Sequence, residues 1–107
     1  MVDSNKFLSD VRADWSFWFY NGNIVRNIYE LADTIEVLEE KDFVYHVNED
    51  HQKNDFARWI SEVLGDANLA ANLWNELDKK KYVKKIRKKI ARMESIAEKQ
   101  TQQKLLQ

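Results

Sequence analysis

A chain of 107 residues with thirteen aromatics is long enough for one hydrophobic core and too short for two. It has no Cys, which excludes disulfides, thiolate nucleophiles and zinc–thiolate sites; with no Pro and two Gly it favours helices joined by short turns over sheets. The net charge of −1 conceals a segregation, since residues 1–78 carry six Lys/Arg against sixteen Asp/Glu (net −10) and residues 79–107 carry eleven against two (net +9).

From the N-terminus, Phe7, Leu8 and Val11 suggest a short amphipathic helix. Residues 16–20 and 23–25 then flank Asn21-Gly22, a pair that tolerates the positive φ of a type I′ turn. A small β-hairpin is expected there, with an irregular aromatic loop as the alternative. Asn27 and Glu30 have capping-box spacing, and Ile28, Leu31, Ala32, Ile35 and Leu38 predict a helix over about 28–39. Asp42 is placed to cap a short helix carrying Phe43, Val44, Tyr45 and Val47, and the polar run NEDHQKND reads as loop. Asn54 or Asp55 caps a helix with Phe56, Trp59, Ile60, Val63 and Leu64, and Gly65 stands where a left-handed C-cap residue is wanted. Asp66 caps a further helix whose buried face is Leu69, Ala70, Leu73, Trp74 and Leu77. Residues 79–107 contain no breaker and predict one long helix fraying into QTQQKLLQ. The expected fold class is all-α with a short N-terminal hairpin, divided into an acidic domain over 1–78 and a basic amphipathic helix over 79–107.

The stretch YHVNEDHQKNDFARWISEVLGDANLAANLW, with RNIYELADTIEVL upstream, is similar to a small helical family of archaea and bacteria whose function is unknown. Asn27, Leu31, Tyr45-His46-Val47, Asn54-Asp55-Phe56, Trp59-Ile60, Leu64-Gly65-Asp66 and Leu69-Ala70 carry the likeness, which covers about residues 24–77 and leaves the basic tail outside. The resemblance implies a compact helical domain, often one part of a longer or multi-part protein. It brings no activity and no catalytic residue with it.

Chemistry-bearing groupings are sparse. His46 and His51, near Glu49, Asp50 and Asp55, are the one metal-like set, but a spacing of five does not put both histidines on one helix face. The expectation is that His46 packs beneath the aromatics and His51 lies in a solvated loop, with no metal and no cofactor. The carboxylate pairs Glu39/Glu40, Glu49/Asp50 and Glu76/Asp78 carry no sign of burial, and no Ser has a base and orienter near it. The turn at Gly65 invites a helix–turn–helix reading, but residues 67–77 hold no Lys or Arg to grip phosphate. No enzyme activity or small-molecule substrate is expected.

Two features remain. Five aromatics in the six positions 15–20 cannot all point inward, which marks Trp15, Trp18 and Tyr20 as an apolar contact patch. On the C-terminal helix Val83, Ile86, Ile90, Met93 and Ala97 fall in a stripe about 80° wide, with most cations opposite. That stripe either docks on the acidic domain or pairs with another helix, or the basic face binds phosphate of nucleic acid or anionic lipid. The leading expectation is a non-enzymatic protein-interaction module, self-association included, using Trp15, Trp18, Tyr20, Val83, Ile86, Ile90 and Met93. The alternative is nucleic-acid binding through Lys80, Lys81, Lys84, Lys85, Arg87, Lys88, Lys89 and Arg92. No run approaches the ~18 apolar residues of a membrane span and charge interrupts the N-terminal stretch, so a cytoplasmic location is expected.

Overall fold

Side-chain caps set most helix boundaries in the computed structural model, which describes residues 3–50 and 52–106. Asp3 opens α1 (Ser4–Leu8) by accepting from the backbone N–H groups of Asn5 and Lys6. Val11, expected on this helix, lies beyond it. Its N–H donates to Arg26 O (2.7 Å) and its carbonyl accepts from the Arg26 guanidinium. A 3-10 turn, Ala13–Trp15, leads into β1 (Phe17–Trp18), which pairs antiparallel with β2 (Ile24–Val25). The hairpin is thus present but turns differently. Only Gly22 has a positive φ (96°), whereas a type I′ turn needs it at both central residues. Phe19 N–H donates to Asn23 O and Gly22 N–H to Phe19 O, closing a longer loop on the glycine.

Asn27 caps α2 (Ile28–Val37) by accepting from Glu30 N–H, while the Glu30 carboxylate accepts from Arg26 N–H, one residue earlier than a standard capping box. α3 (Glu40–His46) starts after Glu39, which makes no side-chain cap. Asp42, expected as the cap, instead lies in the first turn, where its charge suits the positive end of the helix. α3 runs directly into β3 (Val47–Asn48), paired antiparallel with β4 (Lys53–Asn54). This second hairpin replaces the expected loop, so the fold is mostly helical rather than all-α. Its polar strands carry no alternation of apolar residues to announce it.

Asn54 caps α4 (Asp55–Trp59), which continues as a π-helical turn, Ile60–Leu64. Gly65, at φ 78°, takes the left-handed C-cap as expected, and both its N–H and that of Asp66 donate to Ile60 O. Asp66 caps α5 (Ala67–Trp74). That helix ends too early to carry Leu77, which is exposed, and Trp74, its last residue and likewise expected in the buried face, is exposed too. Asp78 accepts from Lys81 N–H at the start of α6 (Lys79–Leu106), which continues through the segment expected to fray.

One hydrophobic cluster joins Phe7 of α1, Phe17 and Phe19 of the first hairpin, Ile28, Leu31 and Ile35 of α2, and Phe43, Phe56, Ile60, Leu64 and Leu73. Tyr82, Val83, Ile86, Ile90 and Met93 of α6 complete it. The core therefore crosses the boundary expected at residue 78, and α6 is one of its walls, packed along α1, α2 and α5. At 28 residues, α6 is about 42 Å long. Its last turns run on exposed and contribute to the 52 Å long axis, against 26 and 22 Å across.

Candidate contact surfaces

The expected apolar stripe of α6 is real but already occupied. Val83, Ile86, Ile90 and Met93 are buried against the rest of the chain, so they are core residues and not a seam offered to a partner. The physical reason is area: α1, α2 and α5 each leave an apolar face open, and one stripe closes all three. Tyr82, at the edge of that stripe, is fully buried; its hydroxyl donates to Asn54 Oδ1 at 2.6 Å.

The aromatic run divides by strand alternation. Phe17 and Phe19 point into the core, packing edge-on to each other and against His46 and Phe56. Their neighbours Trp18 and Tyr20 face out, each 67 % exposed, while Trp15, in the 3-10 turn before the strand and outside its alternation, is 52 % exposed. Trp18 sits opposite exposed Ile24 across the hairpin. Tyr20 stacks on Tyr45 with ring centroids 4.2 Å apart, and the Lys53 ammonium lies 3.8 Å from the Tyr45 centroid on the other side. Tyr45 and Lys53 therefore belong to this surface, which the periodicity of α3 did not reveal because their meeting depends on the second hairpin.

The backbone beneath these rings is held firmly. Trp59 Nε1–H donates to Trp15 O at 2.8 Å. Tyr20 N–H donates to His46 Nε2 at 3.0 Å, so the proton on the ring sits on Nδ1 and is donated to Asp55 Oδ2 at 2.9 Å. Asp55 also pairs with Lys53 at 3.3 Å. His46 is thus buried under the aromatics, as expected, tying the turn of the first hairpin to the start of α4. His51 lies outside the described residues. Among those described, no three His, Asp or Glu side chains gather as metal ligands would.

The cations of α6 from Lys79 to Arg92 fall into two sets. Lys85 pairs with Glu76 (3.0 Å), Arg87 with Asp33 and Glu36 (3.0 and 3.1 Å), and Lys89 makes an ionic contact with buried Asp66 at 3.4 Å without hydrogen-bond geometry. Lys79 donates to Glu36 O and Leu38 O, neutralising the negative end of α2. These pairs shift titration in the expected directions. The hydrogen bond from Lys85 holds the Glu76 carboxyl below its ordinary value, and Asp33 raises the Arg87 guanidinium. Burial, with Glu94 accepting from its hydroxyl, raises Tyr29. The second set, Lys80, Lys81, Lys84, Lys88 and Arg92, is exposed and makes no ion pair among the described residues. Of the eight cations expected to face nucleic acid, then, Lys85, Arg87 and Lys89 are turned toward the protein's own acids.

These features define a small, mostly helical domain with an anchored aromatic face and a basic outer ridge. Among the described residues no helix is long and apolar enough to cross a membrane. Residues 19–107 match the model of the "Family of unknown function (DUF5752)", and the chain belongs to that family. The match extends through α6, so the basic helix is part of the family's unit and not outside it, as the resemblance over 24–77 had implied. No curated protein and no solved structure matches the chain.

Proposed function

We propose that this domain is a non-enzymatic protein-contact module whose contact surface is the aromatic face of the first hairpin, and whose partner is a second copy of the chain. The observation that carries this is the exposure of Trp18 and Tyr20, two-thirds open to water on a hairpin whose backbone is pinned from below. Large rings held rigidly at a surface lose little conformational entropy on contact and bury much area, which is the profile of an interface anchor. Ile24, opposite Trp18 across the hairpin, and Tyr45, stacked on Tyr20, extend the same apolar area. The α6 stripe has no part in this contact, since an Ile86→Asp change would strike the core and unfold the domain rather than report on an interface.

Sedimentation velocity over a concentration series, read together with tryptophan emission, tests the proposal. The wild-type chain associates with rising concentration and its emission shifts to the blue. The doubly substituted Trp18→Ser, Tyr20→Ser protein stays folded and monomeric. A wild-type chain that remains monomeric throughout, indistinguishable from the variant in sedimentation and solubility, overturns it.

A further inference from the structure

On α6 the exposed cations form a line. Lys80, Lys84, Lys88 and Arg92 recur every fourth residue, spanning 120° of the helical wheel at 100° per residue and lying opposite the buried stripe of Ile86, Ile90 and Met93. Successive members are about 6 Å apart along the axis, and the row is about 18 Å long. Cations flanking the row, Lys85 and Lys89 on one side and Arg87 on the other, are paired with the protein's own carboxylates. Glu36, which pairs with Arg87, lines the same groove as Lys80, Lys84 and Lys88, but none of the row's four members makes an ion pair among the described residues. A rigid helix thus presents a regularly pitched line of positive charge on a domain that is otherwise acidic.

From this row we infer that the domain has a second binding surface, for the phosphodiester backbone of nucleic acid, held without regard to base sequence. The partner follows from the spacing and from what the face lacks. Phosphates recur every ~3.4 Å of axial rise along a strand while winding about it, so a row of cations pitched at about 6 Å can meet several of them in turn. A membrane surface fits less well, because a helix lying in a bilayer needs a free apolar face and here that face is consumed by the core. Within the row the outer face adds only Lys81, a further exposed cation, and Ala91, leaving room for a backbone to lie along it and no Asn, Gln, Asp or Glu to pair with a base edge. This surface shares no residue with the aromatic face, so it stands or falls independently of the contact reading.

The test titrates the full chain against a labelled DNA duplex, a labelled single-stranded RNA, phosphatidylserine vesicles and poly-glutamate, at several salt concentrations. Neutralising four phosphates predicts a slope of log affinity against log salt of about −3.6 on duplex DNA and about −2.8 on a single strand. The Lys84→Gln, Lys88→Gln variant halves each slope, by about 1.8 on the duplex and about 1.4 on the single strand. A variant of equal charge change away from the row, Arg12→Gln, Arg58→Gln, leaves the slope unchanged. All four positions are exposed, and circular dichroism checks that both variants keep the fold. Three results overturn the inference: no oligonucleotide binding at micromolar protein in low salt, equal losses in the two variants, or binding to vesicles or poly-glutamate at least as tight as to either oligonucleotide.

Discussion

Asn54 shows how much one polar side chain can hold. Its Oδ1 accepts from Ala57 N–H (3.1 Å) and from the Tyr82 hydroxyl, and its Nδ2 donates to the carbonyls of Leu73 (2.9 Å) and Trp74 (3.3 Å). A single amide thereby caps the start of α4, satisfies the end of α5 and anchors α6. Burial raises the Tyr82 hydroxyl far above the ordinary tyrosine range, so it remains a donor wherever the protein is folded. Tyr82→Phe removes one bond and leaves Asn54 Oδ1 a partner, and should cost about 1–2 kcal/mol. Asn54→Ala strips the cap, orphans the Tyr82 hydroxyl and frees two carbonyls, and should cost about 2–4 kcal/mol. Urea denaturation distinguishes them, and equal costs would show that the amide's other bonds contribute nothing.

Between elements, the Glu76–Lys85 pair (3.0 Å) joins the segment after α5 to α6. Because the folded carboxyl titrates below its unfolded value, its contribution is fully present above the ordinary carboxylate range and is lost as pH falls through the lowered value. Wild type should therefore exceed Glu76→Gln in stability above about pH 5, the gap closing on further acidification, where both proteins weaken for other reasons. A gap independent of pH in chemical denaturation would rule out the charge as its source. At this scale the sequence was legible at most helix ends, where the determinant is local, though not at Asp42 nor at the Asn21-Gly22 turn. Asn27, Asn54, Gly65 and Asp66 act at the helix ends where their chemistry placed them, and the α6 stripe was readable from spacing alone. The second hairpin was not, since its strands are polar and its pairing is supported by contacts from distant elements. The early end of α5 was equally silent, with no Gly or Pro between Trp74 and Leu77. Which α6 cations are neutralised at home depends on where Asp33, Glu36 and Asp66 arrive in space, and no periodicity within the helix reports that.

For the molecule as a whole, the core closes only when its two charge-segregated parts meet. A chain ending at residue 78 would lose Tyr82, Val83, Ile86, Ile90 and Met93 from the cluster. Since a large core side chain is worth about 2–5 kcal/mol and whole domains are stable by about 5–15 kcal/mol, that fragment should not fold. Near-ultraviolet circular dichroism would show it, as loss of the fixed aromatic signal that the full chain displays. A native-like spectrum from residues 1–78 would demonstrate an independent acidic domain and contradict the shared core. The closing contacts also join opposite ends of the chain, with Ser4 of α1 donating to Gln100 of α6. At roughly 5–20 residues per second on the ribosome, about 4–17 seconds separate the synthesis of Phe7 from that of Met93. Through that interval the nascent chain carries phenylalanine and leucine faces that α6 has not yet covered, and the net charge of −10 on residues 1–78 is what holds such unfinished chains apart.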